Sequence, residues 1–197
     1  MTYRLLLAAL LGASAAPLFA QAAPAPAAEA PKDDLVRVAL DTSAGRIVIA
    51  VDRGHAPVTA KNFLSYVDSG KFVGESFYRA MPLTGGGLIQ AGITSDARKL
   101  GKAIAHEPPS QTGLSHVRGA VSMASNAPGT AQSDFFILTV DVPSFDQSFA
   151  PFGRVVEGMD VVEKIMASPV SPTKGEGAMK GQMLEPVVKI RAAKRLP

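Results

Sequence analysis

Cysteine and tryptophan are both absent from the 197 residues, and histidine occurs only three times. Without cysteine there is no disulfide, no thiolate metal ligand and no lipid attachment through an N-terminal lipobox. That absence suits an exported protein that avoids disulfide errors. His55, His106 and His116 are scattered with no i, i+4 pairing, which argues against a metal site, so no cofactor is expected. Ser133, Asp134 and His116 supply the residue types of a hydrolytic triad, but no nucleophile elbow accompanies them. Gly85-Gly86-Gly87 is not followed by Gly-Lys-Ser/Thr and is no phosphate loop. A net charge of +3 with no basic run argues against nucleic acid as the main partner. No internal repeat appears.

The N-terminus has its own logic. Met1-Thr2-Tyr3-Arg4 is a short positive segment, residues 5–16 are apolar or small, and Ala20-Gln21-Ala22 offers an A-x-A cleavage site. Together they predict a signal peptide over residues 1–22. The apolar run is short and broken by Gly12 and Pro17, against the roughly 20 residues a membrane span needs. The mature chain is therefore expected to be periplasmic, without stable membrane insertion, in preference to a secreted or membrane-anchored form; a monomer is also expected. Residues 23–34 are rich in Ala and Pro and poor in large apolar groups, which predicts an extended linker. A single folded domain is expected over residues 35–197.

Within that domain Val36, Val38 and Leu40 alternate with polar or small residues, as do Ile47, Ile49 and Val51. Period two on both sides of a Gly-containing turn predicts an antiparallel hairpin. The period then changes: Ala60, Phe63, Leu64 and Val67 share one helical face, with Pro57 at the entry and Gly70 at the exit. Short β-prone stretches separated by Gly, Pro, Ser and Asn fill residues 72–156 and favour a closed or nearly closed barrel. Asp160, Val162, Ile165 and Met166 predict a second helix before Pro169, residues 170–181 an exposed loop, and Val188 and Ile190 a last strand.

The chemistry-bearing segments are Phe77-Tyr78-Arg79, Gln90, Ser122-Met123-Ala124 and Phe135-Phe136-Ile137. One permanent cation among apolar, β-prone segments suits a reaction that needs binding and one hydrogen-bond donor. In pattern and order, these segments resemble the cyclophilins, the prolyl cis-trans isomerases. The resemblance runs over residues 36–191 and includes Arg118-Gly119-Ala120-Val121, Ser133-Asp134-Phe135-Phe136-Ile137 and Phe152-Gly153-Arg154-Val155. It implies a mainly β fold, an eight-stranded antiparallel barrel with a helix closing each end, and proline-containing segments of unfolded or exported proteins as partners.

By the same resemblance Arg79 is the catalytic residue, with Tyr78 as its aromatic partner. Gln90 orients it and bonds the substrate backbone, Phe136 floors the proline pocket, and Leu88 stands where methionine is usual. Ala124 and Ser125 match a pair whose backbone contacts the peptide, while Phe145 and Phe149 fill the rim. The chain also departs from the pattern. About three residues are added between Arg79 and Gln90, and counting back from Gln90 puts Gly87 where a pocket phenylalanine is usual. Asp134 replaces a glutamine, and Ser144 replaces a tryptophan or phenylalanine. A lost aromatic wall weakens proline binding by about 1–3 kcal/mol, so low activity is expected. If Asp134 lies within several ångströms of Arg79, it attracts and partly neutralises it. Two readings stay open: an isomerase, or a proline-peptide-binding chaperone or adaptor with little turnover.

Overall fold

The structure, a computed structural model, describes residues 34–197. The expected signal peptide and almost all of the linker lie outside the described residues. The first two strands, β1 (Leu35–Thr42) and β2 (Arg46–Asp52), pair antiparallel with Leu40 opposite Ile47, Val38 opposite Ile49 and Val36 opposite Val51. Thr42 closes the turn: its hydroxyl donates to the Gly45 carbonyl and accepts from the Ala44 and Gly45 amides.

Helix α1 (Pro57–Asp68) buries Thr59, Ala60, Phe63, Leu64, Tyr66 and Val67. Its own Ala56 offers no side-chain cap; the buried Glu107 carboxylate does that from 48 residues away, accepting the Val58 and Thr59 amides and the Thr59 hydroxyl. Then come β3 (Ser76–Leu83), β4 (Gly86–Gly92), β5 (Ala120–Met123), β6 (Phe135–Leu138) and β7 (Ala150–Glu157). Helix α3 (Met159–Met166), the two-residue β8 (Val170–Ser171) and the long β9 (Met183–Arg195) complete the chain.

The strands run in the order β1-β2-β7-β5-β6-β4-β3-β9, and β9 pairs back onto β1, so eight antiparallel strands close a barrel. Closure leaves those eight without a free edge, while β8 merely extends β9. The barrel is filled. Phe63, Phe72, Phe77, Phe135 and Phe152 are almost fully buried together, with ring centroids between 5.0 and 5.9 Å apart. Each such pair contributes about 0.5–1.5 kcal/mol beyond its buried area. Both predicted helices are present, and α3 adds Val162 and Ile165 to the same core. A third helix escaped the sequence reading: α2 (Pro109–Thr112), a single turn that Pro109 opens and Gly113, at φ +72°, ends. The 170–181 stretch is not plain loop either, since it holds β8 and a 3-10 turn at Gly177–Met179.

Candidate active site

Alternation along β4, β5 and β6 sorts their side chains. Ile89, Ala91, Val121, Met123, Phe135 and Ile137 enter the barrel core. Leu88, Ala120, Phe136 and Leu138 face outward and form a separate apolar cluster, covered by Met81, Ala124, Val142, Phe145 and Phe149. The site is therefore built on the outside of the barrel, not within it.

Strand β3 breaks the alternation. Phe77 pairs with Ala91 and Arg79 with Gln90, leaving Tyr78 as the extra residue of a β-bulge. Phe77 and Ala80 both reach the core, although three positions apart on a regular strand they would face opposite ways. The bulge thus turns two consecutive residues, Tyr78 and Arg79, to the outer face.

There they line a cavity of about 590 Å³. All ten residues that the resemblance assigns to catalysis or substrate binding line it: Tyr78, Arg79, Leu88, Gln90, Ala124, Ser125, Asp134, Phe136, Phe145 and Phe149. The rings of Phe136, Phe145 and Phe149 form a triangle with sides of 5.8, 5.3 and 5.1 Å, and Phe136 meets the other two nearly edge-on. An apolar slot walled by three aromatic rings suits a saturated five-membered ring.

Arg79 is held at the slot's edge. Its Nε and Nη2 donate to the Gln182 Oε1 at 2.9 and 2.7 Å, and its Nη1 donates to the Gln90 Oε1 at 2.9 Å. Nη2 also points at the Met81 sulfur, a weak acceptor 3.1 Å away. Of five N–H donors, this leaves one on Nη1 with no partner among the described residues, and one held only by sulfur. Burial draws the guanidinium below its usual pKa, opposed by Tyr78.

Asp134 does not meet Arg79. Its Oδ2 accepts from the Tyr78 hydroxyl at 2.5 Å and lies 3.4 Å from Gln90 Nε2, which donates to the Tyr78 oxygen at 2.6 Å. In place of an Asp134–Arg79 pair there is a relay, Arg79 to Gln90 to Tyr78 to Asp134. Burial and the neighbouring carboxylate push the Tyr78 hydroxyl well above its ordinary value, so it stays protonated. Two expectations change. Gly87 does not line the cavity; a Cβ there would lie 2.4 Å from the Met81 carbonyl and 2.5 Å from Met166 Cε, so the position faces α3. Met81, across the hairpin, supplies the wall instead. Ser144 is exposed and also lies off the cavity. The sequence reading missed Met81, Met179 and Gln182; only Met81, two residues after Arg79, carried a local signal.

With this geometry in view, comparison with known proteins is direct. A family model described as cyclophilin-type peptidyl-prolyl cis-trans isomerase/CLD matches residues 36–194. The chain belongs to that family. Peptidyl-prolyl cis-trans isomerase A of Dickeya dadantii is 38% identical over 135 residues, covering 65% of this chain and 70% of the relative. A peptidyl-prolyl cis-trans isomerase of Acinetobacter baylyi is 35% identical over 141 residues, with 68% and 73% covered. Among solved structures, a cyclophilin-type isomerase of Cryptosporidium parvum superposes with a TM-score of 0.71 at 22% identity, covering 83% of this chain and 99% of that one. A second structure of that protein, determined in the presence of the dipeptide Ala-Pro, gives 0.69 at 22%, with 82% and 99% covered. The cyclophilin barrel is the fold seen here, and relatives named isomerases are similar to this chain in sequence.

Proposed function

We propose that this cyclophilin-type domain catalyses rotation about X-Pro peptide bonds, with Arg79 as the catalytic residue and the three-phenylalanine slot as the proline pocket. The observation that carries this is a guanidinium fixed by two glutamines at the edge of an apolar slot, with donor capacity left over. Rotation faces a barrier of about 18–20 kcal/mol because the planar amide is conjugated. At the twisted transition state the proline nitrogen becomes pyramidal and recovers a lone pair. A donor aimed there stabilises the twisted form and not the planar one, which lowers the barrier. Phe136, Phe145, Phe149 and Leu88 would seat the ring, and Gln90, Ala124 and Ser125 would hold the backbone. A structural neighbour was solved in the presence of the dipeptide Ala-Pro, which is in keeping with a proline-containing ligand.

The clients proposed are exported proteins in the periplasm, a reading that rests on the N-terminal Arg4, the apolar run and Ala20-Gln21-Ala22. Among the described residues no helix is long and apolar enough to cross a membrane. The alternative is a binding module with little turnover. Two of the departures that favoured it, Gly87 and Ser144, lie off the cavity and lose weight. A protease-coupled proline-peptide assay on wild type and Arg79→Ala tests the proposal. The variant should keep its fold by circular dichroism and lose about 10²–10³ in kcat/KM, the scale for one transition-state donor. Activity within twofold of wild type in a folded variant would sink the assignment.

A further inference from the structure

Behind Phe136 lies a histidine that the steps above do not use. His116 is 1% exposed. Its ring stacks on Phe136 at 6.0 Å and 18°, and meets Phe145 and Phe149 edge-on at 6.0 and 6.4 Å. Its Nδ1 is 2.5 Å from the Asp146 Oδ1, and its Nε2 is 2.9 Å from the Ser122 Oγ. Asp146 belongs to the 3-10 turn Pro143–Gln147, which carries Phe145 and leads into Phe149. The same Oδ1 accepts the His116 backbone amide at 3.0 Å, and the Val142 amide donates back to the His116 carbonyl at 2.8 Å.

A carboxylate only accepts, so Nδ1 carries the ring proton and Nε2 accepts from the Ser122 hydroxyl. Burial lowers the imidazole pKa, and the bond and charge of Asp146 only partly offset it, which agrees with a neutral ring. Aspartate, histidine and serine stand in the order of a hydrolytic triad. Yet Ser122 is fully buried on β5, beyond the reach of any ester or amide. The bonds serve orientation instead.

We propose that His116, locked by Asp146, is a positioning residue for the proline pocket: it fixes the plane of Phe136 and ties the turn bearing Phe145 to the barrel wall. This rests on the cavity being the proline site. Two variants test it, Asp146→Ala, which removes the oxygen that accepts both His116 N–H groups, and Asp146→Asn, whose amide oxygen can still accept both. For Asp146→Ala, KM should rise about tenfold with kcat within about twofold, since one charge-assisted tether is lost and Arg79 is untouched. Asp146→Asn should restore KM to near wild type. If turnover is absent, the Kd of a proline peptide by titration replaces KM, so the inference is judged apart from the activity beneath it. In wild type, nitrogen-15 spectra of the imidazole should show a neutral ring protonated at Nδ1. The idea is overturned by an unchanged KM or Kd in Asp146→Ala, by two variants that behave alike, by an Nε2-protonated or charged ring at neutral pH, or by labelling of Ser122 with a fluorophosphonate. A fall in Tm alone, with binding unchanged, makes His116 merely structural and overturns it too.

Discussion

Gln182 is the residue whose loss should say most about how Arg79 is used. Its single side-chain oxygen accepts from Nε and Nη2 of Arg79, while Gln90 holds only Nη1. Removing it in Gln182→Ala deletes two of the three bonds from the guanidinium to oxygen. Hydrogen bonds to a charged group contribute about 1.5–3 kcal/mol each when buried. Arg79 is only part-buried, so water replaces much of that, and the lower end of one bond is the better guide. A loss of about 1.5 kcal/mol in the transition state is roughly tenfold in kcat/KM. The fall should lie in kcat, because the apolar slot that binds the ring is unaltered. Protease-coupled kinetics would be run on wild type, both single variants and the double variant. Because Gln182 acts through Arg79, adding Gln182→Ala to Arg79→Ala should cost nothing further. Additive losses in the double variant, or activity in Gln182→Ala within about twofold of wild type, would refute the idea that Gln182 orients the arginine.

Three further outcomes are expected. Gly87→Ala should lower Tm, because its Cβ would press on the Met81 carbonyl and Met166; overpacking costs about 1–3 kcal/mol, read by a thermal melt. Glu75 is buried, which alone would raise its pKa, yet bonds from Ser95, Lys99 and the Thr94 amide carry it below its ordinary value of 4.5. Its folded pKa is thus depressed, so its contribution is present above pH 4.5 and is lost as pH falls below that value; Glu75→Gln should flatten the Tm-against-pH curve there. N-terminal sequencing of protein released by osmotic shock should find a chain starting near Ala23, and full-length material in the membrane fraction would contradict cleavage and release into the periplasm.

The first hairpin was legible because Val36, Val38 and Leu40 alternate so plainly against Ile47, Ile49 and Val51. The α1 face was legible for the same kind of reason, a period of 3.6 in Ala60, Phe63, Leu64 and Val67. The residues that come together in the cavity were picked out through the order of their segments, which carries information that no single segment has. What stayed hidden was non-local. Gln182 reaches Arg79 from 103 residues away, out of a stretch rich in Gly, Pro and Lys that shows no period. The bulge at Tyr78 has no spelling of its own. Counting along one strand from Gln90 put Gly87 in the pocket, but hairpin register sets Leu88 opposite Met81 and turns Gly87 toward α3. Whether Asp134 meets Arg79 was left open by the sequence, because the bulge that places a phenol beside Asp134 is not visible there.

The filled barrel has one more consequence. Because the interior is occupied by phenylalanine and the cavity lies on the outer wall, a polypeptide never has to be threaded through the molecule to be acted on. With that cavity as the proposed proline site, a proline in the middle of a long chain could be laid across it and lifted off sideways, with both ends of that chain tethered elsewhere. Access then depends on whether a segment is locally slack, not on where it sits between its termini.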